Sequence, residues 1–111
     1  MKTTLSKLFY FSASYSKEDK VFGHNYILEA TAEISDEPSE IFFENAIRES
    51  LIKKLESRDL GLHVDFLKEV ELTEQNILKA FWEVIQKSIT PLSLVSLSLQ
   101  RDKQTKRTLS A

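Results

Sequence analysis

Apolar and polar residues follow two strand-like patterns in the first third of the chain. Aromatic and small polar residues dominate Leu5–Ser14, and apolar and polar residues alternate along Val21–Ile34. Strict alternation is typical of a strand with one buried face. Because a short charged loop, Ser16–Lys20, separates the two stretches, we predict a β-hairpin. One face of its second strand carries alternate residues, namely Phe22, His24, Tyr26, Leu28, Ala30, Ala32 and Ile34.

Two helical patterns follow the hairpin. Pro38 breaks the strand pattern, and Ser39 is the predicted N-cap of a helix that we expect to end before Gly61. A loop with extended pieces is our interpretation of the next residues. The second helix begins at Thr73, whose hydroxyl can cap it. Its apolar residues recur three or four positions apart, at Ile77, Leu78, Phe81, Val84 and Ile85.

Two further strands close the chain. Ser93–Gln100 alternates after Pro91, and Arg107–Ala111 follows a turn. The resulting order is two strands, two helices and two strands. Grouping of strands and helices in separate blocks indicates an α+β fold, with an antiparallel four-stranded sheet and two helices on one face. We expect a single domain covering residues 1–111.

Composition and charge narrow the classes of partner. The chain is 41% apolar and 29% charged, with a formal net charge of −2, so it has no overall bias toward nucleic acid or membrane surfaces. It lacks an apolar run of the ~20 residues that a membrane helix needs, and its first residues lack a signal-peptide core. It contains no cysteine, which excludes disulfides and a cysteine nucleophile. We expect a cytoplasmic protein.

Basic residues are clustered at the last turn, namely Arg101, Lys103, Lys106 and Arg107. They either steer an anion toward the protein or are simply solvated.

Several short segments, in order along the chain, resemble one family. They are FSASY (Phe11–Tyr15), FGHNY (Phe22–Tyr26), LESRDL (Leu55–Leu60) and TEQN (Thr73–Asn76). Their order and spacing resemble the 6-pyruvoyl-tetrahydropterin synthase and 6-carboxytetrahydropterin synthase family over nearly the whole chain. The resemblance implies the tunnelling fold (T-fold). It also implies a homo-oligomer such as a hexamer of two stacked trimers, with sites at subunit contacts.

The resemblance implies a zinc site, but two of its three histidines are replaced. The corresponding positions are Tyr15, Phe22 and His24. Phenylalanine cannot bind zinc, and tyrosine binds only as a phenolate, whereas an ordinary phenol has a pKa of ~10. Zinc needs several ligands, so His24 is either a vestigial metal ligand or a half-buried strand residue. The other candidate ligands lack a diagnostic spacing, namely Glu18, Asp19 and His63.

The resemblance also implies acid–base residues, and these are altered. Glu18 takes the place of the family's cysteine, as in some branches of the family, and is the candidate catalytic base. Its alternative interpretation is a solvated loop residue between Lys17 and Lys20. The family's proton-relaying Asp-His pair reads Glu56-Ser57. Serine cannot replace a histidine in proton transfer.

Three candidate substrate-binding residues follow from the same resemblance. Thr73 corresponds to a ligand-binding threonine, Gln75 to a helix-opening glutamate and Gln100 to the glutamate that anchors the pterin. An amide offers one acceptor and two donors, whereas a carboxylate accepts from two N–H groups. Gln100 is therefore either an anchor for a planar heterocycle or a polar residue at a strand end. Thr73 can be both an N-cap and a ligand.

Two functional hypotheses remain. The first is a divergent, catalytically inactive member that keeps the oligomeric fold and a pocket for a pterin or purine-like molecule, with no cofactor. The second is an active zinc-dependent, pterin-forming lyase that acts on dihydroneopterin triphosphate, with Glu18 as the base and His24 with Tyr15 or a loop acid holding zinc. We favour the first, since losing one part of a catalytic unit removes most of its rate.

Overall fold

The computed structural model describes residues 2–17, 20–56, 58–60, 64–67, 71, 73–101 and 104–111. The strands are β1 (Thr4–Lys17), β2 (Lys20–Glu33), β3 (Arg58–Asp59), β4 (Leu94–Gln100) and β5 (Lys106–Ser110). The helical segments are α1 (Glu37–Ile47), a π-helical segment (Arg48–Ile52), α2 (Lys53–Leu55), a 3-10 turn (Asp65–Leu67) and α3 (Glu74–Ile89). None of the helices in these ranges is long and apolar enough to cross a membrane.

The strands form one sheet in the order β3-β1-β2-β4-β5. The four long strands pair antiparallel, which confirms the predicted sheet. The strand β3, which pairs parallel with Ala13 and Ser14 of β1, was not predicted from the sequence. Two residues are too few to show an alternating pattern, so the sequence carries no signal for this strand.

The two faces of the sheet differ in composition. One face, which we call the covered face, packs against the helices and carries buried side chains, namely Phe9, Phe11, Ala13, Tyr26, Leu28, Ala30, Ala32, Leu97 and Leu99. The other, which we call the outer face, carries the alternate residues, including Leu8, Tyr10, Ser12, Asn25, Ile27, Ser98 and Gln100. The burial of β2 from Tyr26 onward confirms the predicted apolar face. The Phe22 side chain lies outside the described residues.

Asp36, and not Ser39, caps α1. The Asp36 Oδ1 atom accepts a hydrogen bond from the Ser39 backbone N–H at 2.7 Å, and the Ser39 hydroxyl donates to Oδ2 at 3.0 Å. The predicted cap was wrong because Pro38 lies inside the first turn. Backbone N–H groups in that turn have no partner within the helix, so proline is tolerated there. The helix therefore begins before the proline.

The second long helix, α3, begins as predicted. The Thr73 Oγ1 atom accepts a hydrogen bond from the Asn76 backbone N–H at 3.2 Å, which is an N-cap. The helix then buries Phe81 completely. The Phe81 ring meets Phe11 edge-on at 6.3 Å and Phe66 at 6.1 Å between ring centroids. Phe66 belongs to the 3-10 turn, which lies in the segment where we expected extended pieces. The aromatic contacts thus join the helix, the turn and the covered face.

Candidate functional site

A pocket of about 470 Å³ lies across β1, β2 and the end of β4. Most of its described lining residues belong to the outer face, namely Tyr10, Ser12, Asn25, Ile27 and Gln100. Phe11 and Tyr26 of the covered face also line it, and Glu56 and Arg101 contribute at its ends. Its volume is within the range of about 300–1,000 Å³ that is usual for small-molecule sites. The strand register explains why residues so distant in sequence line one pocket.

The floor of the pocket is a row of residues across three paired strands. Ile27 of β2 is paired with Tyr10 of β1 on one side and with Gln100 of β4 on the other. Neighbouring strands are about 4.8 Å apart, so this row is about 10 Å wide. In the next row the Ser12 hydroxyl donates to the Asn25 Oδ1 atom at 2.6 Å. The pocket therefore has an apolar centre with amide and hydroxyl groups around it.

Glu56 stands at the β1 end of the pocket. It follows α2 and precedes β3, and its Oε1 atom lies 3.4 Å from the Ser12 backbone nitrogen, a long hydrogen bond. Its own backbone N–H donates to the Ile52 carbonyl at 3.1 Å. A carboxylate thus lies beside the outer face. The adjacent Ser57 is outside the described residues.

Arg101 stands at the β4 end of the pocket and is tied to α3. Its Nη1 atom lies 2.9 Å from Glu74 Oε1, and Arg107 Nε lies 3.5 Å from the other oxygen of the same carboxylate. The Glu74 side chain is only 16% exposed, so this pairing is shielded more than an ordinary surface pair. Two residues of the predicted basic cluster therefore tie the start of α3 to the end of β4 and the start of β5.

The predicted substrate-binding residues fall in two places. Gln100 lines the pocket, next in sequence to Arg101. Thr73 and Gln75 are not among the described residues that line it, since Thr73 caps α3 and Gln75 is exposed on that helix. They flank Glu74, whose ion pair with Arg101 connects the helix start to the pocket. The structure thus brings Gln100 together with Asn25 and Ile27.

The positions that resemble zinc ligands come together at the far end of the hairpin. The register pairs Tyr15 with Phe22 and Ala13 with His24. His24 is half-buried, and its ring meets the Tyr26 ring edge-on at 5.7 Å. Within the described residues, no three His, Cys, Asp or Glu side chains are grouped to hold a metal. The zinc prediction is not tested by this, because three of its candidate groups lie outside that part of the chain, namely Glu18, Asp19 and His63.

Known proteins resemble this chain in structure, whereas none was matched by its sequence. No protein-family model and no curated protein matches the sequence. In contrast, the structure of Caenorhabditis elegans 6-pyruvoyl tetrahydropterin synthase matches with a TM-score of 0.83 and 14% identity, over 100% of this chain and 96% of that one. The chain has the 6-pyruvoyl tetrahydropterin synthase fold. This confirms the predicted T-fold.

Two further structures with this fold extend the comparison. An uncharacterized protein from Wolinella succinogenes matches with a TM-score of 0.68 and 9% identity, over 99% of this chain and 98% of that one. The 6-pyruvoyl tetrahydropterin synthase of Plasmodium vivax matches with a TM-score of 0.51 and 14% identity, over 96% and 97% of the two chains. At such low identity the likeness establishes the arrangement of strands and helices, and the chemistry has to be argued from the residues.

Several residues that line the pocket were not predicted from the sequence, and Tyr10 is the clearest case. Tyr10 is 65% exposed and lines the pocket, although it lies in an aromatic run with Phe9 and Phe11. The alternation of that run was the available signal, since neighbouring residues of a strand face opposite sides. Glu74 gave no comparable signal, because its partners Arg101 and Arg107 are distant in sequence.

Proposed function

We propose that this protein is a divergent relative of 6-pyruvoyl tetrahydropterin synthases that binds a planar pterin or purine-like heterocycle without converting it. The observation that carries the proposal is the pocket on the outer face. Its row of Tyr10, Ile27 and Gln100 is about as wide as a two-ring heterocycle. Its centre is apolar and its margins carry amide, hydroxyl and charged groups, which is the usual make-up of a small-molecule site.

The proposed loss of catalysis is supported by the residues at the hairpin end. Position 22 is a phenylalanine and is paired in register with Tyr15. Of the three positions that resemble zinc ligands, His24 alone is a histidine. A catalytic zinc ion usually has three protein ligands and one open position. The proton-relaying histidine is also replaced, by Ser57, so metal and acid–base groups have changed together.

We further propose that the protein assembles with itself through its sheet. Within the described residues, β3 pairs with β1 at two positions, so the first half of β1 has backbone groups to offer another strand. Sedimentation should show an oligomer at micromolar concentration, and a single monomeric species would contradict this part of the proposal.

Binding and turnover can be measured on the same preparations. We expect calorimetric titration with pterin to show saturable binding to the wild type, weakened binding to Gln100→Ala and unchanged binding to Gln75→Ala. The second variant is a matched control, since it truncates an exposed amide outside the pocket. Conversion of dihydroneopterin triphosphate should be undetectable with or without added zinc.

The opposite results would have clear meanings. Turnover that disappears in Glu18→Gln and His24→Ala would establish the active lyase and overturn the proposed loss of catalysis. Absence of pterin and purine binding to the wild type would overturn the proposed heterocycle site. Equal effects of the Gln100 and Gln75 substitutions would mean that the pocket on the outer face is not where the ligand binds.

A further inference from the structure

Glu56 is the carboxylate of the pocket. Among the described lining residues, no other side chain is acidic. This matters because a carboxylate only accepts hydrogen bonds, whereas the amides of Asn25 and Gln100 both donate and accept. An acidic group at one end of a pocket therefore selects ligands that present donors there.

The backbone around Glu56 is held on both sides. The residue ends the helical segment α2, where its N–H bonds to the Ile52 carbonyl. Two residues later the chain enters β3, which pairs with β1, and the Leu60 N–H donates to the Ser14 carbonyl at 2.7 Å. The backbone that carries Glu56 is therefore held beside the edge of β1 from both sides, and its exposed side chain reaches the pocket from there.

The carboxylate of Glu56 has acceptor capacity left over. In the described part of the chain its one contact is the 3.4 Å hydrogen bond from the Ser12 backbone N–H, and no lysine or arginine pairs with it. Glu74, which lies outside the pocket lining, is instead shared between Arg101 and Arg107. An ionised carboxylate offers about four acceptor sites, so Glu56 can accept two further hydrogen bonds from a ligand.

The two ends of the pocket therefore differ in what they recognise. Glu56 requires donors, and two adjacent N–H groups would satisfy it with charge-assisted bonds. Gln100, across the apolar residue Ile27, can bond to a donor or to an acceptor. A heterocycle with an exocyclic amine beside a ring N–H fits the first end, and its far ring fits the second. An analogue with an oxo group in place of the amine would bring an acceptor against the carboxylate.

We infer that Glu56 is the specificity-determining residue of the pocket and selects 2-amino-4-oxo heterocycles, the pattern shared by pterin and guanine, over their dioxo analogues. The inference rests on the proposed function, since it requires that a planar heterocycle binds on the outer face. It differs from the expectation drawn from the family resemblance, in which the residue at position 100 holds the amino edge.

A pair of probes that differ in one group tests the inference. Pterin and lumazine, in which an oxo group replaces the 2-amino group, are titrated into the wild type, Glu56→Gln and Glu83→Gln. Glu83 is a matched control, because it is an exposed glutamate on α3 outside this pocket. Thermal melts of each variant verify that it is folded.

We expect the wild type to bind pterin more tightly than lumazine by about tenfold or more, as a pair of charge-assisted hydrogen bonds implies. In Glu56→Gln the pterin affinity should fall to near that of lumazine, whose own affinity changes little. Glu83→Gln should keep the wild-type preference.

Three results would overturn the inference, and they are distinguishable. An unchanged preference in Glu56→Gln, with pterin still bound, would refute the role of Glu56 and leave the heterocycle site intact. Equal loss of both compounds in folded Glu56→Gln would show that the residue shapes the pocket without selecting the amine. If neither pterin nor lumazine binds the wild type, the proposed function itself is wrong and the inference falls with it.

Discussion

The two faces of the central sheet differ in what their side chains do, although the same strands supply both. The covered face forms the core, and the outer face supplies most of the pocket. In β1, Phe9 and Phe11 are buried under the helices, whereas Tyr10 between them is 65% exposed on the outer face. In β2, the covered face from Tyr26 onward is buried, while Asn25 and Ile27 line the pocket. Because side chains alternate between faces, most residues that build the core and most that could bind a ligand can change independently. Phe11 and Tyr26 are the exceptions, since they belong to the core and also line the pocket.

This independence explains how the fold persists when sequence similarity is low. The structure matches the Caenorhabditis elegans synthase with a TM-score of 0.83 at 14% identity. Cores tolerate many apolar substitutions when volume and pattern are kept. A zinc site, in contrast, requires particular ligand atoms at particular distances. The register pairs Tyr15 with Phe22, so this end of the hairpin forms without the histidines that the resemblance implies at these two positions.

The largest effect should come from truncating the covered side. Phe81→Ala removes a fully buried ring that contacts Phe11 and Phe66. Such a change typically lowers the free energy of unfolding by about 3–5 kcal/mol, from lost burial and the cavity left behind. Urea denaturation monitored by circular dichroism would measure it, with the expectation that the variant is marginally folded at best.

Tyr10→Ala provides the matched test on the outer face. It also removes an aromatic ring, but one that is mostly exposed. Surface substitutions usually change stability by no more than about 0.5 kcal/mol, so unfolding should be nearly unchanged while pterin affinity falls. A loss of stability comparable to that of Phe81→Ala would mean that the two faces are not independent, for instance because the outer face is buried in an oligomer.

Particular residues show how far the sequence could predict this molecule. The alternation along β2 and the helical spacing after Thr73 depend on local geometry, so the apolar face and the start of α3 could be predicted. The strand β3 could not, since two residues have no period. The place of Glu56 in the pocket depends on how α2 and β3 pack against β1, which is a tertiary property. Gln100 was predicted as a site residue and lines the pocket, but its role in binding remains a prediction.

A smaller effect is expected at the N-cap of α3. Thr73→Ala removes the acceptor for the Asn76 backbone N–H and should lower the free energy of unfolding by about 1 kcal/mol. Thr73→Ser keeps the hydroxyl and should retain most of the stability. Because Thr73 does not line the pocket, pterin affinity should be equal in both variants and the wild type. A lower affinity in folded Thr73→Ala would show instead that this hydroxyl binds the ligand.

The smallest effect concerns the acid stability of the helical layer. Hydrogen bonds from the Ser39 backbone N–H and then from its hydroxyl lower the pKa of Asp36 below its ordinary value of 3.8. A carboxylate with a lowered pKa in the folded state stabilises the protein above its unfolded pKa, and this stabilisation disappears as the pH falls through the folded value. The wild type should therefore lose some thermal stability between about pH 5 and pH 3 through this group.

Asp36→Asn separates this contribution from that of the other acids. Asparagine keeps an acceptor for the Ser39 N–H and does not titrate, so the variant should be slightly less stable at neutral pH and should lose less stability on acidification. Melting temperatures of the two proteins across this pH range provide the measurement. Parallel pH profiles would show that acid sensitivity resides elsewhere, with the ion pairs of Glu74 and of Glu29 as the next groups to substitute. Glu29 bonds to Lys106 on the outer face, whereas Asp36 caps a helix on the covered side. Comparing the pH profiles of variants at the two positions would therefore show which side of the sheet contributes more to the acid sensitivity.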